Sequence, residues 1–110
     1  MKQYVIDDIR PLEMARLKTW CAANLAPACF DNVFWLVLAD AVLTPLQTAH
    51  AACRPHYLSL TLEAERAEID LAVRTKRTLH CECMGYVTPA QFAWLDAWVD
   101  ATFAGLRIKT

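Results

Sequence analysis

From Tyr57 to Val87 the side chains change character at every second position, the period of half-buried strands and not of helices. One face carries Leu58, Leu60 and Leu62, then Ile69, Leu71 and Val73, then Leu79, Cys81, Cys83 and Val87. The other carries Tyr57, Ser59, Thr61 and Glu63, then Glu68, Asp70, Ala72 and Arg74, then His80, Glu82, Met84 and Tyr86, a mixture suited to a solvated sheet face. The polar breaks at Glu65-Arg66 and Lys76-Arg77 are too short for a crossover helix, so the spacing predicts an antiparallel three-strand meander over about 57–87.

A helix follows at once. Thr88-Pro89-Ala90-Gln91 supplies a hydroxyl N-cap, a proline where the missing N–H costs nothing, and a glutamine able to reach back to the cap backbone. The helix is expected over about 89–105, its stripe of Phe92, Leu95, Val99, Phe103 and Leu106 lying on the apolar face of the meander. Trp94 and Trp98 fall off that stripe, on a flank that one three-stranded sheet need not bury. With hydrophobic residues at 56%, that flank is read as a self-association surface and the chain as a homodimer.

The N-terminal half is less regular. Tyr4 to Asp8 reads as a short strand, and Pro11 opens a helix whose Met14, Leu17, Cys21 and Leu25 share a face, ending near Pro27. Ala26 to Asn32 reads as a loop. Val33-Phe34-Trp35-Leu36-Val37-Leu38 is β-branched, aromatic and short, and is taken as a strand buried on both faces in preference to a buried helix over 32–43. Thr44-Pro45-Leu46-Gln47 repeats the cap signature of Thr88 and starts a brief helix to about Cys53, stopped by Arg54-Pro55. The recurrence is read as convergence on a good helix start, not as duplication. The fold expected is a single α+β domain over 1–110, in the order β-α-β-α-β-β-β-α.

Function is narrowed first by exclusion. Eleven basic against twelve acidic residues give a net charge of −1, without the basic excess on which nucleic-acid binding draws. The basic group Arg74, Lys76 and Arg77 reads as a solvated hairpin, not an anion site. The longest apolar run, Val33 to Ala39, falls far short of the ~20 residues of a membrane span. Asp7 and Asp8 stand where an export signal would need an apolar run, so the expected location is cytoplasmic. With only Gly85 and Gly105 there is no phosphate loop.

Five cysteines remain to be explained. His50-x-x-Cys53 on the short helix and Cys81-x-Cys83 on the last strand would each present two donors to one side. Together they make a Cys3His zinc set, with His56 or His80 as substitutes. Strand geometry permits this set, with the two side chains leaning inward, because two strand positions span roughly 6.6 Å and sulfurs on one zinc lie about 3.8 Å apart. The competing reading packs Cys81 and Cys83 into the core as small hydrophobes. Cys81 beside His80 does not make a nucleophile and base, since adjacent strand residues point to opposite faces. No catalytic set emerges. The sequence reads foremost as a small interaction or regulatory module, alternatively as a zinc-binding domain, and third as a small-ligand binder or enzyme with no located pocket.

Overall fold

The alternating run supplies the centre of a larger sheet. The computed structural model describes residues 2–27, 30–75 and 81–109, and shows a mixed α+β chain with three helices and an antiparallel sheet. Strands β1 (Gln3–Ile6), β2 (Ala26–Pro27), β3 (Val33–Val37), β4 (His56–Leu62), β5 (Ala67–Asp70) and β6 (Arg74–Thr75) are joined with helices α1 (Pro11–Asn24), α2 (Pro45–Ala49) and α3 (Pro89–Gly105). The sheet order is β1-β5-β4-β3-β2, with β6 also on β4.

The register explains the core. Phe34 faces Leu60, Leu36 faces Leu58, Leu60 faces Ile69 and Ile6 faces Ala67, so one sheet face is a continuous apolar layer. Leu58 and Ile69 are completely buried. Leu17 and Cys21 of α1 and Leu95, Val99 and Phe103 of α3 belong to the same core. The Arg16 guanidinium of α1 donates to the carbonyls of Leu106 and Arg107, tying α1 to the open C-terminal end of α3. Among the described residues no helix is long and apolar enough to cross a membrane.

Several sequence expectations change in detail. The strand over 33–37 forms, in preference to a helix, but Val37 is exposed and Trp35 only half-buried, so it is not buried from both sides. Tyr57, expected on a wet face, is buried because Trp35 stacks on it at 4.2 Å from the neighbouring strand. Phe92 is exposed and Gln91 takes its place in the buried stripe of α3.

The largest change concerns the third strand of the meander. Leu60 pairs with Ile69 but His56 pairs with Thr75, four residues of one strand against six of the other, so two extra residues must be accommodated between β5 and β6. The chain absorbs them by swinging residues 71–73 away from β4. There Val87 donates its N–H to the Leu71 carbonyl, Val73 donates to the Gly85 carbonyl, and a single bridge pairs Ala72 with Tyr86. Residues 81–84 form a turn, closed by the Met84 N–H on the Cys81 carbonyl, and are not a strand. Leu79, His80, Cys29 and the turn at Lys76-Arg77 lie outside the described residues.

Candidate metal centre

Two short segments some thirty residues apart meet at the end of β4. The first follows α2, whose cap is built as its sequence requires. The Thr44 hydroxyl accepts from the Gln47 N–H, and the Gln47 side chain accepts from the Thr44 N–H. After one turn the helix tightens into a 3-10 turn over Ala51–Cys53, with the Cys53 N–H on the His50 carbonyl. In that geometry side chains three apart stand almost above one another, which aims His50 and Cys53 at one point more directly than an α-helix would. The second segment is the turn at 81–84. Its curvature folds the two thiols toward each other, 3.0 Å apart, where a strand would have required the side chains to lean inward.

The outcome is a cluster in which one donor atom from each of His50, Cys53, Cys81 and Cys83 lies within 4.8 Å of all the others. Cys81 is at its centre. Its sulfur is 3.0 Å from His50 Nδ1, 3.7 Å from the Cys53 sulfur and 3.0 Å from the Cys83 sulfur. Donors gathered around Cys81 lower its thiol to about 6, the Cys83 backbone N–H and thiol contributing first, while burial and then the neighbouring Cys81 raise Cys83 to about 12. The physical content is a single proton-poor sulfur stabilised by its neighbours. Such a cluster of three sulfurs and an imidazole could hold a metal ion.

A buried amide network fixes the turn. Gln47 and Gln91, both buried, occupy the same position in the two Thr-Pro-x-Gln caps and meet each other. Gln91 Nε2 donates to Gln47 Oε1 at 2.8 Å and to the Val42 carbonyl at 3.0 Å, while its own oxygen caps Thr88. Gln47 Nε2 in turn donates to the Cys83 carbonyl at 3.2 Å. Both donors of Gln91 and both acceptor sites of Gln47 are thereby used, and the network runs from the start of α3 to the backbone of a candidate ligand. The sequence marked these glutamines only as capping residues. Their repeated motif was the one available signal of the second role.

The other residues singled out from the sequence lie elsewhere. His56 is not in the cluster; it is buried at the start of β4 with no hydrogen-bond partner on either ring nitrogen, and burial, then the charges of Arg54 and His50, push its pKa down. Cys21 is a core thiol pushed up to about 12 by burial, which leaves it inert. Trp94 and Trp98 are half-buried, with Trp98 5.8 Å from Trp20, and line with Trp20 and Trp35 a shallow groove of about 360 Å³. Comparison with protein families, curated proteins and solved structures finds no match to this chain.

Proposed function

We propose that this chain is a small zinc-binding α+β domain in which His50, Cys53, Cys81 and Cys83 close a structural site, and that it acts as an interaction or regulatory module, not an enzyme. The observation that carries this reading is the convergence of four donor atoms, from segments thirty residues apart, to within 4.8 Å of one another. The donor set favours zinc among common ions, since thiolates and imidazole suit it while magnesium and calcium take oxygen. Four protein ligands complete a tetrahedral shell, so no position is left for substrate or water, and the ion's role is to fasten the 81–87 segment to the end of α2. The Cys53 and Cys81 sulfurs, 3.7 Å apart, already have the roughly 3.8 Å spacing that one zinc requires. Cys83 must open from 3.0 Å by a few tenths to about 0.8 Å. Persistence of three thiols as ligands fits a reducing compartment such as the cytoplasm.

The test is an elemental count on protein made without a histidine tag, beside thermal melting with and without chelator. One zinc per chain is expected. At free zinc a hundredfold above its Kd the ion contributes about 2.7 kcal/mol, so chelation lowers Tm by roughly 10–20 °C. Metal-free protein whose melting ignores chelator would leave Cys81 and Cys83 as packing residues. Cys81→Ala with Cys83→Ala would then cost only a cavity penalty.

A further inference from the structure

Three sulfurs that meet at one point can hold an ion, and they can also be oxidised against one another. Cys53 and Cys81 are half-buried while Cys83 is buried, so two of the sulfurs are open to a small solute and the third is not. The Cys81 sulfur has the most neighbours. A ring nitrogen of His50 lies 3.0 Å from it, the Cys83 sulfur 3.0 Å and the Cys53 sulfur 3.7 Å. A bound ion requires its thiols to be ionised, and without an ion the same neighbours can donate to a single negative sulfur at that centre. In both states Cys81 is offered as a thiolate, the form that attacks an oxidant. A second thiol poised beside the first makes such a reaction reversible, because it converts the first oxidation product to a disulfide before further oxidation can follow.

We infer that Cys81 is a site of oxidation by peroxides and Cys53 its resolving thiol, so that the cluster exchanges its ion for a Cys53–Cys81 disulfide. In the first step the Cys81 sulfur bonds to one peroxide oxygen as the O–O bond breaks, giving a sulfenic acid and hydroxide. The Cys53 thiolate then attacks that sulfur, an S–S bond replaces the S–O bond, and a second hydroxide leaves. Two electrons have passed from two thiolates to one peroxide. Cys83 is the nearer thiol, but it is tied to Cys81 through a single residue, inside a turn closed by the Met84 N–H on the Cys81 carbonyl. A disulfide wants a torsion of roughly 90° about its sulfurs, and Cys53, coming from a separate segment, is free of the turn's constraint. With two of its four ligands joined to each other, the ion keeps only His50 and Cys83 and departs. The inference rests on the site proposed above and supplies its regulation, but the thiol step itself needs no ion.

The test uses full-length protein made without a histidine tag and freed of reductant, its zinc counted before hydrogen peroxide is added. Peroxide at one equivalent per chain should remove a pair of free thiols and release the zinc in step, read with a colorimetric zinc indicator, and dithiothreitol should restore both thiols. Peptide mapping after alkylation should show Cys53 linked to Cys81, with Cys21, completely buried in the core, still a thiol. An ordinary cysteine is only a few per cent thiolate at neutral pH, so Cys81→Ser should slow peroxide consumption roughly tenfold or more. Cys53→Ser should still react, but stop at a sulfenic acid that dimedone traps. The disulfide map of the unaltered chain decides the pairing even where a variant folds poorly. A Cys81–Cys83 bond, any other linkage, or passage of Cys81 straight to sulfinic acid would overturn the inference. Stoichiometric zinc with thiols that resist peroxide removes this inference alone, and a Cys53–Cys81 disulfide in a chain that holds no zinc removes the metal alone.

Discussion

Across β3, β4 and β5 the inward side chains other than His56 are apolar, each strand is fixed by a ladder of backbone bonds, and Leu58 and Ile69 have no solvent contact. Over residues 71–73 and 81–87 the chain is held instead by one bridge, a few backbone bonds, an amide network and four close donor atoms. The contrast teaches where each kind of force sets conformation. Apolar burial fixes a strand register because a one-residue slip would turn every side chain to the wrong face. A turn rich in sulfur has no such constraint, and its geometry is set by partners brought from elsewhere.

The largest expected effect separates the two regions by breaking the first. Leu58→Ala removes a completely buried side chain from the central strand, at a cost of about 2–5 kcal/mol. The loss should be equal with and without chelator, and the zinc count at low temperature should stay at one per chain. Melting in the two conditions, beside elemental analysis, checks this. A larger loss in the zinc-loaded protein would mean that the sheet and the thiol loop are not separable.

The same contrast accounts for what the sequence disclosed. The rows Leu58-Leu60-Leu62 and Ile69-Leu71-Val73 are long enough for their period to be unmistakable, and Thr44 and Thr88 cap helices as their motifs require. The four donors were also legible, since His50-x-x-Cys53 and Cys81-x-Cys83 point alike in several geometries. The shape of the 81–87 segment was not. Cysteines two apart with polar neighbours have the same spacing in a turn as in a strand, and the period carries no sign of the two-residue register shift that ended the ladder. β2 and β6 have two residues each, too few to show any period. The pairing of β1 with β5 joins segments sixty residues apart, and neither one's own pattern names its partner.

The second region is broken by a smaller change. Gln91→Leu keeps the volume roughly constant and strands the Val42 carbonyl, while Gln47→Leu removes the donor to the Cys83 carbonyl. Each leaves buried polar groups unpaired, at about 1–3 kcal/mol. Unlike Leu58→Ala, both should also weaken zinc, because the turn bearing Cys81 and Cys83 loses its anchor. The two glutamines share one hydrogen bond at 2.8 Å, so the double variant should depart from additivity by about 0.5–3 kcal/mol. Competition with a zinc chelator of known affinity, run beside denaturant unfolding, gives both readouts. Strictly additive stabilities and unchanged zinc affinity would reduce the glutamines to ordinary helix caps.

The smallest effect comes from a polar contact that belongs to neither region. Where β1 meets α3, the Tyr4 hydroxyl donates to Asp96 Oδ1 at 2.6 Å, and the ring lies 5.7 Å from Phe92. Burial first, then the hydrogen bond to Asp96, then the charges of Asp96 and Asp100 push the Tyr4 phenol up to about 12. A raised acid pKa means that the folded chain holds this proton more tightly than the unfolded chain. The contribution to stability is therefore complete below about pH 10, the ordinary phenol value, and is lost as pH rises toward about 12. In a titration of phenolate absorbance Tyr4 should ionise late, and Tyr4→Phe should delete its contribution to the late amplitude. Asp96→Asn should bring it part of the way back, since it removes the charge and the strong acceptor but not the burial. At neutral pH the same substitution should cost about 1 kcal/mol or less, because the bond is at the surface. A late amplitude that Tyr4→Phe leaves undiminished would assign it wholly to other tyrosines and remove the β1–α3 contact as its cause.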